Sequence, residues 1–205
     1  MIEQIKLKKN SDTVFIIGGG SSLTKTLPNP SIIVDKDIIA TNYAYDLFPN
    51  AMVLLFADKS WYVKHMLDIQ NRFKGIIISS TNMDKEYYLT NKVDHVFFRG
   101  EDYKISEVCD KLNGGNSGHL AINLAMFMGY RKIVLIGFDM NDKVKQTHWH
   151  DKHNYSVVTS RYREVFIPAF SSITPYQVKF GCEIYNLNKE SCITSFKFAD
   201  LQDFI

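Results

Sequence analysis

What this sequence lacks narrows its chemistry first. Of its 205 residues only three are cysteine, Cys109, Cys182 and Cys192. No pair has metal-ligand spacing. An odd count argues against a disulfide framework and fits a reducing compartment, so each reads as a small core residue. Charge of one sign is also scarce: 24 basic against 22 acidic side chains leave a formal +2. That is too little to draw the chain to nucleic acid or to an anionic membrane. No apolar run approaches the ~20 residues of a membrane span. The start, Met1-Ile-Glu-Gln-Ile-Lys6, lacks the apolar core of a signal peptide, so a cytoplasmic protein is expected. Linkers, internal repeats and low-complexity segments are missing too. What remains is an ordinary globular composition, 45% hydrophobic and 22% charged. It suits one domain, residues 1–205, large enough to bury a real core.

The chain is organised around Thr13-Val-Phe-Ile-Ile-Gly-Gly-Gly-Ser-Ser-Leu23. Four consecutive apolar residues read as a strand buried on both faces. Gly18, Gly19 and Gly20 then allow close backbone approach. Ser21 or Ser22 can cap a helical turn starting near Leu23. A strand, a glycine turn and a helix start leave N–H groups aimed at one spot, which suits a phosphate. The alternative is a tight turn with no ligand. The spacing is not the dinucleotide fingerprint, because the glycines are contiguous and Leu23 stands where the last would fall. Nor is it a P-loop, because no Gly-Lys-Ser/Thr follows.

Further apolar runs place more strands at residues 37–42, 51–57, 75–80, 94–98, 131–139 and 182–186. Asn42 ends the second, where a NAD-binding fold usually carries an acid. It can bond a base or a sugar hydroxyl, or cap a helix at residues 43–48, and both roles stay open. Asp58 follows the third strand and either caps an amphipathic helix running to about Phe73 or points into a site. Trp61 is expected in the core. Residues 81–92 read as a surface excursion, residues 103–112 as a short helix, and residues 196–205 as an amphipathic tail.

A second block, Asn113-Gly-Gly-Asn-Ser-Gly118, runs into a helix with Leu120, Leu124, Phe127 and Met128 at helical spacing. Asn116 or Ser117 can cap it. Its free N–H groups, with Ser117 and Gly118, form a second anion candidate. Asp139 closes the clearest strand of the second half. A polar loop follows with His148, His150 and His153, half of the six histidines in the chain. They read as a proton-transfer site, since histidine titrates near pH 6.5. The other readings are a metal site or plain surface. Metal ranks lowest, because no other Cys or His pair has supporting spacing. Thr159 or Ser160 is expected to cap a long helix from Arg161 to about Phe180, broken near Pro168 and Pro175 and ended by Gly181.

Taken together these blocks resemble a phage-encoded family labelled norphogenetic protein. The same order resembles two better understood groups: small bacterial sialyltransferases with a Rossmann-like domain, which use CMP-sialic acid, and 6-hydroxymethylpterin diphosphokinase-like proteins, which bind ATP. The sialyltransferases carry Gly-Asn-Gly-Pro-Ser-Leu in the first turn, matched by Gly18-Gly-Gly-Ser-Ser-Leu23 with Gly19 in place of Asn and Ser21 in place of Pro. Their Cys-Asn corresponds to Thr41-Asn42, their Thr-Ser-Gly to Asn116-Ser117-Gly118, and their Gly-Ile-Asp to Gly137-Phe138-Asp139. Their His-Tyr-Ile-Gly-His loop corresponds to residues 148–153 with altered spacing.

The expectation is an α/β, Rossmann-like, mostly parallel sheet with helices on both faces. Its site joins Gly18, Gly19, Gly20, Ser21, Ser22, Asn42, Asp58, Asn116, Ser117, Gly118 and Asp139 to the three histidines. The resemblance implies a glycosyltransferase using a CMP-sugar-like donor and a hydroxyl-bearing acceptor without a metal, His150 or His153 acting as base. In the alternative, ATP and Mg²⁺ serve a diphosphokinase, with Asp58 or Asp139 on the ion. A nucleotide-binding phage protein without turnover is the third reading. A homo-oligomer is compatible with all three.

Overall fold

Apolar runs that read as strands buried on both faces become the centre of a nine-stranded sheet in the computed structural model. The structure describes residues 9–82, 84–100, 102–141, 147–151 and 160–205. In chain order the strands are β1 Thr13–Ile17, β2 Asp37–Thr41, β3 Val53–Phe56, β4 Ile76–Ser80, β5 His95–Gly100, β6 Lys111–Asn113, β7 Lys132–Ile136, β8 Glu183–Asn186 and β9 Lys197–Phe198. They lie in the order β6-β5-β4-β3-β2-β1-β7-β8-β9. Every ladder between them is parallel, where a mostly parallel sheet was expected.

Side-chain alternation explains why the central strands carry no polar face. Val14 and Ile16 of β1 join Ile133 and Leu135 of β7 in one core layer. Phe15 and Ile17 join Val134 and Ile136 in the other. Helices cover both layers: α1 Leu23–Thr26, α2 Lys59–Arg72, α3 Lys85–Thr90, α4 Ser117–Phe127, α5 Ile167–Ser171 and α6 Thr174–Phe180. In α4 every residue from 119 to 126 is buried, and the helix packs on β1, β2 and β3. Truncating fully buried Leu124 to Ala would cost about 2–5 kcal/mol. Trp61 is buried as expected, and Gly181 ends α6 with φ +62°. Among the described residues no helix is long and apolar enough to cross a membrane.

Strand order reverses at β1. From β1 the chain builds outward through β2 to β6. It then returns over the sheet in α4 and lays β7 on the other side of β1. The carboxyl edge at β1 and β7 is therefore the topological switch point, the place where open α/β sheets bind ligands.

Several local expectations are corrected. Residues 103–112 form no helix. The N–H groups of Ser106 and Asn113 both reach Asn123 Oδ1 at 3.0 Å, and Leu112 enters the core, so tertiary contacts override local helix preference. The excursion at residues 81–92 holds α3, anchored by buried Tyr88 against the ring of Phe56. The long helix is instead a π-helical turn, Tyr162–Phe166, running into α5, with α6 separate. Pro168 and Pro175 sit in first turns, where no N–H is needed, and so start helices rather than break them. No side chain caps the π turn; Thr159 lies outside the described residues. The helix after Asn42 is a short 3-10 turn, Asn42–Asp46, with Thr41 at its cap position. The tail contributes β9, paired with β8. Cys109 is exposed rather than core; Cys182 is buried and Cys192 half-buried, and all three are free thiols.

Candidate functional site

The turn after β1 is stitched to the turn after β7. Gly18 N–H donates to Ile136 O and Gly20 N–H to Gly137 O, both at 2.8 Å. Only glycine allows this approach: a Cβ on Gly18 would lie 2.5 Å from Gly137 O, and one on Gly20 2.6 Å from Asp139 Cγ. Ser22 stands at the cap position of α1, yet its hydroxyl makes no cap bond. Instead it donates to Asp139 Oδ1. Asp139 Oδ2 accepts the Ser22 N–H at 2.8 Å and the Ser21 hydroxyl at 3.2 Å, while Asn188 Nδ2 donates to Oδ1 at 3.0 Å. The negative charge beside this turn is the protein's own carboxylate, buried and held by four donors. With Gly18, Gly20 and Ser22 committed, the glycine turn is a rigid floor more than an open anion cradle.

The opposite wall comes from the second glycine block. Asn116 caps α4, its Oδ1 accepting the His119 N–H at 3.0 Å, while its buried Nδ2 has no hydrogen-bond partner among the described residues. Ser117 donates to Asn42 Oδ1 at 3.3 Å, joining this wall to the end of β2. Asn42 holds φ +50°, an uncommon conformation that asparagine tolerates better than most residues. Asp58 takes the capping role: it accepts from Trp61 N–H at 3.1 Å and Ser60 Oγ at 2.7 Å.

The histidine loop closes the top. His148 forms a bridge with Gly20, and Trp149 N–H donates to Gly19 O at 3.2 Å. His148 Nδ1 contacts Thr147 Oγ1 at 2.9 Å, and its ring lies 5.6 Å from that of His150. His150 packs on Tyr43 at 4.3 Å, and the Tyr43 hydroxyl meets His65 Nε2 at 2.7 Å. His153 lies outside the described residues. These elements enclose a cavity of about 190 Å³ lined by Gly18, Gly19, Gly20, Asn42, His148 and His150, among others. Asn116, Ser117, Gly118 and Asp139 line it too. Asp58 faces an adjoining cleft of about 510 Å³. Ser21 and Ser22 lie behind the cavity wall, on Asp139.

Reasoning from sequence missed Tyr43, Thr147, Phe138 and Tyr162, which also line the cavity. Tyr43 and Phe138 are chain neighbours of Asn42 and Asp139, which was the available signal; Tyr162 carried none. Burial raises the Tyr162 hydroxyl pKa, while a hydrogen bond with Thr147 lowers it. Among the described residues no group of three or more His, Cys, Asp or Glu could hold a metal ion.

No family model and no curated protein matches this chain. Solved structures do. The monofunctional alpha-2,3-sialyltransferase Cst-I from Campylobacter jejuni superposes with a TM-score of 0.58 at 15% identity, covering 93% of this chain and 80% of that one. The sialyltransferase CstII from Campylobacter jejuni, in complex with the substrate analogue cytidine-5'-monophosphate, gives 0.56 at 16%, covering 94% and 86%. A CST-II complex with a trisaccharide acceptor and CMP gives 0.54 at 16%, covering 90% and 84%. At these identities the likeness is one of fold, and the fold shared is that of sialyltransferases.

Proposed function

We propose that this chain is a glycosyltransferase that takes a sugar from a CMP-sugar-like donor. The observation that carries the reading is the cavity at the strand-order reversal, where Asn42, the start of α4 and two histidines meet over the glycine turn. The fold neighbours crystallised with CMP support the donor class.

In this reading the nucleotide lies against the Gly18–Gly20 floor and the start of α4. A ring nitrogen of His150 or His148 takes the proton of an acceptor hydroxyl. That oxygen bonds to the anomeric carbon, the bond from this carbon to the phosphate oxygen breaks, and the nucleoside monophosphate leaves with the electron pair. Ser117, its hydroxyl turning from Asn42, and the N–H groups of Ser117 and Gly118 at the start of α4 donate to the charge developing on that phosphate. The diphosphokinase alternative needs Asp58 or Asp139 on a magnesium ion. Asp58 serves as a helix cap and Asp139 is held by Ser21, Ser22 and Asn188, so neither carboxylate favours it.

Calorimetric titration with CMP, UDP, GDP and AMP, each with and without EDTA, tests the reading. CMP should bind best and EDTA should change nothing. Loss of binding in EDTA, or preference for AMP, would overturn it. With donor hydrolysis as the assay, His150→Ala or His148→Ala should slow turnover about 10²–10⁴-fold with CMP affinity kept. Wild-type turnover in both variants would place the base elsewhere.

A further inference from the structure

Beside the donor cavity lies the second cleft, about 510 Å³, sharing the wall formed by Asn42, Asn116, Ser117 and Phe166. Its charge is unbalanced. Arg99, Arg161 and Lys59 line it, with Asp58 as the one carboxylate among its described lining residues. Asp58 is spent on the N-terminus of α2. Lys59 is paired with Asp84 at 2.6 Å. Neither arginine forms an ion pair among the described residues. Arg99 stands at the carboxyl end of β5. Its backbone N–H is fixed by Asn82 Oδ1 at 2.9 Å, and its guanidinium reaches Gly114 O at 3.4 Å. Arg161 lies over the Phe166 ring at 5.5 Å. Both also line a smaller recess with Tyr103, Gly114 and Gly115, so the two arginines share the borders of two neighbouring cavities. The starts of two long helices, α2 and α4, rim the larger one and add positive potential. Gly115 on the rim packs too closely on Tyr103 to carry a side chain: a Cβ there would meet the ring at 2.8 Å.

We propose that this cleft binds the acceptor through an anionic group, a sugar carboxylate or phosphate held between Arg99 and Arg161. The inference rests on the glycosyltransferase reading for the word acceptor. A nucleotide on the glycine floor leaves its transferred sugar near Asn42 and Ser117, the residues common to both spaces. What enters from the second cleft then meets the donor from its open side. Guanidinium forks suit planar or tetrahedral oxyanions, and unpaired ones in a cleft mark where such a group docks.

The test is binding, by saturation-transfer NMR on the whole protein saturated with CMP. The carboxylate arm compares methyl glucuronoside with methyl glucoside; the phosphate arm compares glucose 6-phosphate with glucose. At least one anionic sugar should bind about tenfold or more tighter than its neutral counterpart. The arm that shows it names the oxyanion. Arg99→Gln and Arg161→Gln should each reduce that preference, and the double variant should erase it while CMP affinity stays within twofold. The preference should also shrink at 0.5 M salt. Equal binding of charged and neutral sugars in both arms overturns the inference and leaves the donor reading intact. A preference that survives in the double variant overturns it as well. Loss of CMP affinity in the double variant, with sugar binding unchanged, assigns the arginines to the donor and overturns it too. If CMP fails to bind but the arginine-dependent preference persists, the glycosyltransferase reading falls while the anion site stands.

Discussion

Replacing Asp139 with Ala tests whether this carboxylate is a structural clamp. It accepts from four donors: the Ser22 N–H, the Ser22 and Ser21 hydroxyls, and Asn188 Nδ2. The residue is 7% exposed, so water replaces few of these bonds in the native turn. A hydrogen bond to a charged group contributes about 1.5–3 kcal/mol net. The four are not additive, since they share one carboxylate and the hydroxyls can rotate to other acceptors. The expected loss is about 3–5 kcal/mol. For a chain of this size each kcal/mol moves Tm by about 2–4 °C, so a fall of roughly 10 °C is expected. Asp139→Asn keeps one acceptor oxygen but turns an NH₂ toward a donor, and should lose about 1–2 kcal/mol. Thermal unfolding followed by circular dichroism reads both, with urea unfolding to check that m is unchanged. A double-mutant cycle of Asp139→Ala with Ser22→Ala should show about 1–2 kcal/mol of coupling. If both Asp139 variants melt within about 2 °C of wild type and lose only nucleotide affinity, the carboxylate serves a ligand and the clamp argument is wrong.

Three further outcomes follow from buried groups. Gly20→Ala puts a Cβ 2.6 Å from Asp139 Cγ and 2.7 Å from Gly137 O, so it should destabilise the fold by about 1–3 kcal/mol in the same melts, and a neutral result would mean the turn relaxes freely. Burial of His119 among apolar neighbours, with both ring nitrogens unpartnered among the described residues, pushes its pKa down to about 4 from the usual 6.5. The unfolded chain therefore takes up a proton that the folded chain refuses. Stability is full above pH 6.5 and falls by about 3 kcal/mol as pH drops to 4; His119→Phe should flatten that part of the pH dependence, and an unchanged slope would refute it. Burial also pushes the Cys182 thiol up to about 11. A thiol reagent should modify exposed Cys109 first and Cys182 only on unfolding; equal rates would contradict the core placement.

The main strands were legible because a strand buried on both faces must be apolar, as β1 and β7 are after their first residues. Their order was not. Parallel pairing joins residues far apart in sequence, such as Val14 with Ile133, and no local pattern records it. β6 and β9, three and two residues long, were missed because neither is long enough to show a period. Residues 103–112 look helical alone but follow Asn123, whose side chain sits inside the core and bonds Ser106 and Asn113. The π-helical turn at Tyr162–Phe166 leaves no sequence signature, which is why two cavity-lining rings went unseen.

Glycine and histidine blocks were legible by composition, and the structure gathers the described ones around one crevice. What composition hid is how their polar groups are spent. Two glycine turns suggest two equivalent anion sites. The structure makes them unequal: the first satisfies three of its N–H groups and two of its hydroxyls from Ile136, Gly137 and Asp139, whereas at the start of α4 the Asn116 cap takes only the His119 N–H. The difference lies in a contact spanning 117 residues, from Ser22 to Asp139, beyond any local reading. It also divides the labour of the site. The β1 and β7 turns are bonded to each other and to the bridge at His148, so they move as one body and set the floor. In the reading proposed above, selectivity for charge falls to the α4 end and the arginine-lined cleft beyond it, where neither Arg99 nor Arg161 forms an ion pair among the described residues.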